Sequence, residues 1–153
     1  KNIIPKFYFI VDRIDLAIQA TTEFSNRGLK VNKVKSRLEF LNEIKKVSAI
    51  HNHSGESEIT VINIQKFTEE AIVTKALDYD INIQRIYFLD EAHRSYNPKG
   101  NYLANLVNSD KSAVKIALTG TPLLRDVIKE YDSKTLFGDY IHKYYYNQSI
   151  ADG

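Results

Sequence analysis

A chain of 153 residues with 43% hydrophobic side chains is long enough to bury one core, which argues against a natively disordered segment. Its 21 basic and 19 acidic residues leave a net charge of +2, so any nucleic-acid surface has to be a local patch and not a whole-surface field. Cysteine is absent, which excludes disulfides, thiolate zinc sites and cysteine nucleophiles and fits an intracellular protein, and no apolar run approaches the length of a membrane span.

In chain order, Phe7 to Val11 is an uninterrupted run of strand formers, the pattern of a buried parallel strand. Ile14, Ile18, Thr21 and Phe24 then recur at helical spacing, and Gly28 stands where a left-handed C-cap belongs. Leu29 to Val34, with alternating lysines, reads as a short strand. Ser36-Arg37-Leu38-Glu39 has the form of a capping box, and Leu38, Leu41, Ile44 and Val47 mark one face of the helix it opens. His51 to Glu58 is a polar loop around Gly55; two histidines there, without further ligands, read as solvated and not as a metal pair. Ile59 to Ile64 is a second β-branched strand, and Phe67 to Leu77 a helix with Ala71, Thr74 and Leu77 on one side. Arg85 to Leu89 is a third clear strand, Asn97 to Gly100 a turn, Tyr102, Leu103, Leu106 and Val107 a helix, and Ala113 to Leu118 the next strand. Tyr144 to Tyr146 reads as a last strand whose rings pack in preference to stacking on bases.

Strands alternating with helices predict an α/β fold in three layers, a parallel sheet with helices on both faces, and ligands gathered at the carboxyl ends of the strands. Two strands end in chemically pointed sequences. Ile86-Tyr87-Phe88-Leu89 runs into Asp90-Glu91-Ala92-His93, and Ala117-Leu118 runs into Thr119-Gly120-Thr121-Pro122. Phosphoryl transfer to water needs a metal near the β- and γ-phosphates and a group that orients the attacking water. Two carboxylates at a sheet rim can supply both: Asp90 as metal holder and Glu91 as base. Two acids alone also describe a solvated charge pair, and Thr-Gly-Thr-Pro alone is a turn. Together, one helix apart, they reinforce each other.

These two strings resemble motifs II and III of superfamily 2 helicases and translocases, and the longer strings Asp90 to Pro98 and Ala117 to Leu124 resemble the restriction subunit of type I restriction enzymes. The resemblance implies a P-loop, RecA-like domain, the first of two motor domains that pull double-stranded DNA using ATP and Mg2+ in the cytoplasm of a bacterial or archaeal cell. It implies catalytic roles for Asp90, Glu91 and His93, with Asp90 on the metal. Thr119, Gly120 and Thr121 would report nucleotide state to the loop of His93. Arg13, in a strand and loop similar to motif Ia, and Gln65 and Lys66 after the next strand would face DNA phosphates. The second motor domain and the modification and specificity subunits are the implied partners, with residues 1–146 forming part of the first motor domain and 147–153 the start of the connection to the second.

The chain departs from that family in one respect: no Gly-x-x-x-x-Gly-Lys-Ser/Thr string occurs in it. With no methionine at Lys1 either, we expect a fragment, incomplete at its amino-terminal side, that binds nucleotide weakly by itself, does not turn ATP over and is prone to self-association through an open sheet edge. Nuclease carboxylates and arginine fingers are not expected within it. The alternatives are another superfamily 2 DNA helicase or a type III restriction subunit, and a non-catalytic nucleic-acid-binding module of the same fold.

Overall fold

The apolar, β-branched and aromatic runs become five strands of one parallel sheet. The structure, a computed structural model, describes residues 3–45, 56–64, 83–91, 110, 112–120, 137–143, 148 and 150–151. In order along the chain come β1 (Ile4–Val11), α1 (Ile14–Asn26), β2 (Lys30–Val34), α2 (Arg37–Lys45), β3 (Glu58–Asn63), β4 (Ile83–Asp90) and β5 (Val114–Leu118). Strand order is β2-β3-β1-β4-β5, every pair parallel. The helices expected over Phe67 to Leu77 and around Tyr102, the turn at Asn97, the pair His51 and His53, and the strand at Tyr144 to Tyr146 lie outside the described residues.

Side chains alternate across the sheet, and each helix covers one face. On one face Phe24 of α1 meets Phe9 edge-on at 5.3 Å between ring centroids. On the other, Phe40 of α2 meets Tyr8 edge-on at 6.0 Å, and Tyr8 stacks on its in-register neighbour Tyr87 at 5.1 Å. A layer of helix on each side of a parallel sheet is the predicted α/β architecture of a RecA-like domain.

The helix ends follow from local chemistry. Gly28 adopts φ +80°, where a side chain is strained, and the Leu29 and Gly28 N–H groups donate to the carbonyls of Phe24 (3.0 Å) and Ser25 (3.0 Å), so α1 closes in a Schellman motif. At α2 the Glu39 N–H donates to Ser36 Oγ (3.2 Å) while the Glu39 carboxylate accepts from the Lys35 N–H (2.7 Å), a capping box displaced by one residue.

The buried face of α1 differs from the periodicity, and that of α2 holds a charge beside the expected Ile44. Ile14 and Ile18 share a helical stripe with Phe24 yet remain 50% and 62% exposed. On α2 the described buried side chains are Phe40, Glu43 and Ile44; Leu38, Leu41 and Val47 lie outside the described side chains. Burying Glu43 is possible because Lys6 of β1 is buried beside it, its Nζ 2.9 Å from Glu43 Oε1 and donating to the Glu43 carbonyl at 3.2 Å.

The chain divides into two units, Lys1–Gly120, which holds the sheet, and Thr121–Gly153. In the second, Lys143 Nζ sits 4.2 Å over the ring of Tyr140. No helix among the described residues is long and apolar enough to cross a membrane.

Candidate functional site

The winding of the sheet picks out one rim. The connection after β1 leads to β2 on one side and the connection after β4 leads to β5 on the other, although β1 and β4 are hydrogen-bonded neighbours. Crevices in open parallel sheets form where successive connections diverge in this way, at the carboxyl ends of the two strands. Asp12 and Arg13 follow β1 at that point, and Asp90 and Glu91 end β4.

β5 brings the second predicted sequence to the same rim. Asp90 is in register with Leu118, so Glu91 and Thr119 are the next residues of two neighbouring strands, with Gly120 following. Asp90, Glu91 and Thr119 are half-buried and Gly120 is exposed. A Cβ at Gly120 would meet no atom within 4 Å, so that position is open space.

The turn out of β4 is strained. Glu91 has φ +47°, uncommon for a residue with a Cβ, and its N–H donates to Asp90 Oδ1 at 3.1 Å. Non-glycine residues in this region cost about 1–3 kcal/mol and cluster at functional sites, because the surrounding structure must hold them there. The Asp90 carboxyl lies above its ordinary range, chiefly because burial strips water from it and also because the charges of Glu91 and Asp12 repel its own; the Glu91 N–H acts in the opposite direction. Negative charge is therefore concentrated at this rim. Among the described residues no group of three or more Asp, Glu or His side chains converges as a ready-made cation cage.

Sequence reasoning passed over Asp12. Its signal was a carboxylate one step beyond an apolar strand, the same cue that drew attention to Asp90. Its Oδ1 is buried and has no hydrogen-bond partner among the described residues. Arg13, predicted to reach toward phosphates, is exposed and held in a fork by Asp15, with Nη2 donating to Oδ2 at 2.7 Å and Nε to Oδ1 at 3.2 Å. An incoming phosphate would have to compete with that carboxylate. His93, Thr121, Gln65 and Lys66 lie outside the described residues.

A parallel α/β sheet of RecA-like form is the architecture that nucleotide-driven motor domains share, and the comparison with known families assigns the chain to that class. The family model of the SWI2/SNF2 ATPase matches residues 1–153, and the chain belongs to that family. No curated protein and no solved structure matches the chain. Membership makes it a helicase-like, superfamily 2 motor domain whose work is ATP-dependent.

Proposed function

We propose that this chain supplies the water-activating and coupling part of an ATP-driven double-stranded DNA translocase, of the kind found in the restriction subunit of type I restriction enzymes. The observation that carries the proposal is the juxtaposition of Asp90-Glu91 with Thr119-Gly120 on neighbouring strand ends, in a chain matched throughout by an ATPase family. The narrower assignment to type I enzymes draws its support from the longer strings Asp90 to Pro98 and Ala117 to Leu124.

Bound magnesium-ATP supplies the phosphoryl group and the positive charge that offsets the acidic rim. Asp90 would hold the metal, whose positive charge would offset the repulsion between Asp90 and the charges of Glu91 and Asp12. Glu91 orients and deprotonates the attacking water from the turn that ends β4. Thr119 and Gly120, with Thr121 and His93, relay the state of the nucleotide. Arg13, Gln65 and Lys66 face the DNA backbone. The phosphates themselves are cradled by residues other than these, since the chain holds no phosphate-loop string. In this scheme residues 1–146 form part of the first motor domain, 147–153 lead to the second, and modification and specificity subunits select the DNA.

The test is magnesium-dependent ATP hydrolysis by the intact protein, assembled with its modification and specificity subunits. Turnover should rise on double-stranded DNA carrying the recognised site, and a triplex-forming strand placed downstream on that DNA should be displaced in step with ATP use. Turnover indifferent to double-stranded DNA would overturn the proposal.

A further inference from the structure

Across the sheet from the acidic rim, at the amino-terminal ends of β4 and β5, lies a cluster of polar side chains that the proposed chemistry does not use. Asp110 is fully buried just before β5, and the buried Arg85 of β4 grips it with two N–H groups, Nε on Oδ2 and Nη2 on Oδ1 at 3.3 Å. The Tyr87 hydroxyl donates to Asp110 Oδ2 at 3.3 Å. Gln84 Nε2 donates to the Ser112 carbonyl at 2.7 Å. Within the same short segment the Ala113 N–H donates to the Asp110 carbonyl at 3.4 Å. Three consecutive or near-consecutive side chains of β4 therefore hold the segment that leads into β5.

β5 needs such a hold. It is the last strand of the described sheet and pairs with β4 alone. Its sequence, Val114-Lys115-Ile116-Ala117-Leu118, puts apolar residues at every second position, so sliding by two residues would keep the same faces inward. A slide of that size displaces the strand by about 6–7 Å, at roughly 3.3 Å per residue. Thr119 would then no longer stand beside Glu91. The apolar pattern is nearly indifferent to the slide, but Asp110 is not, because it meets one guanidinium and one hydroxyl at fixed positions on β4.

We propose that Gln84, Arg85, Tyr87 and Asp110 form a register clamp that sets Thr119 and Gly120 against Asp90 and Glu91, and that they are positioning residues for ATP hydrolysis. The positioning role rests on the function proposed above, whereas the clamp itself does not.

The chain contains no cysteine, so an introduced pair reports register cleanly. Phe88 and Ile116 are in register on one face, while Val114 lies two residues away on the same strand and face. In the full chain, Phe88→Cys with Ile116→Cys should oxidise to a disulfide, and Phe88→Cys with Val114→Cys should not. Adding Asp110→Asn should let the second pair form at the expense of the first. Tyr87→Phe, which preserves the ring stack, should shift the ratio in the same direction by less, and it serves where Asp110→Asn does not fold. An unchanged ratio in the folded variants overturns the clamp.

In the intact protein, Tyr87→Phe and Gln84→Ala should lower kcat for ATP by roughly ten- to a hundredfold with KM unchanged, as expected when reacting groups are displaced and not removed. A shifted ratio with kcat unchanged overturns the positioning role. Absence of turnover in the unmodified intact protein would count against the proposed function, and the cross-linking comparison would still decide the clamp.

Discussion

Two stacked tyrosines in one buried layer should respond with opposite sign to the same substitution. The Tyr8 and Tyr87 rings both have 0% exposure and lie 5.1 Å apart. The Tyr8 hydroxyl has no hydrogen-bond partner among the described residues, whereas that of Tyr87 donates to Asp110. Burial, reinforced by the nearby Glu43 charge, pushes the Tyr8 phenol far above its ordinary range, so it stays neutral. An unsatisfied buried hydroxyl costs about 1–3 kcal/mol, so Tyr8→Phe should gain about 1 kcal/mol once the small void left by the oxygen is subtracted. Tyr87→Phe loses a hydrogen bond to a carboxylate gripped by the Arg85 guanidinium, and bonds to charge-paired groups are typically worth about 1.5–3 kcal/mol, with the lower end fitting its length. For a chain of this size each kcal/mol moves Tm by about 2–4 °C, so the two variants should melt roughly 5–10 °C apart, on opposite sides of the unmodified chain. Thermal unfolding followed by circular dichroism, with urea midpoints as a second measure, makes the comparison. A loss of stability in Tyr8→Phe as large as in Tyr87→Phe would refute the reasoning by showing that the Tyr8 hydroxyl is satisfied.

Three further outcomes follow from single residues. Glu91→Gly relieves a left-handed strain of about 1–2 kcal/mol against a glycine entropy cost of about 0.5–1 kcal/mol, so it should melt slightly above Glu91→Ala, which keeps the strain; both should lose ATP turnover in the intact protein. Gly28→Ala introduces a Cβ into open space at φ +80°, so its cost of about 1 kcal/mol is purely conformational, and a urea midpoint shift near zero would contradict the assigned helix end. Asp90 has a raised carboxyl pKa in the folded chain, so its contribution to stability is full below the ordinary carboxylate range and is lost as pH rises through the folded value. Asp90→Asn should therefore raise Tm at about pH 7.5 and lose that advantage only below the ordinary carboxylate range, toward about pH 3, as differential scanning calorimetry at the two pH values would show.

The sheet was legible because buried parallel strands are nearly continuous apolar runs: Phe7 to Val11 and Arg85 to Leu89 each fall inside the observed strands, which extend one to three residues further. The strand with alternating lysines, Lys30–Val34, formed as read at an edge of the described sheet, where Lys30 and Lys33 both reach water. What stayed hidden is the polar interior. Lys6, Arg85, Glu43 and Asp110 are residue types that read as surface, and their burial depends on partners 37 and 25 positions away in sequence. Ile14 and Ile18 show the converse, since helical spacing puts them in the stripe of Phe24 but cannot say how far the sheet extends beneath them. At the site, the neighbouring strand ends were readable from the two strings, but the left-handed Glu91 was not, because no glycine marks it. Asp12 was hidden for a third reason: its influence on Asp90 exists only because β1 and β4 are neighbours.

The most direct test of the account is single-turnover ATP hydrolysis by the intact protein carrying Glu91→Gln, with nucleotide affinity measured alongside. If Glu91 activates the attacking water, the variant should bind magnesium-ATP as the unmodified protein does and hydrolyse it at least about a hundredfold more slowly. Hydrolysis at the unmodified rate would contradict the assignment of this rim as the site of water activation.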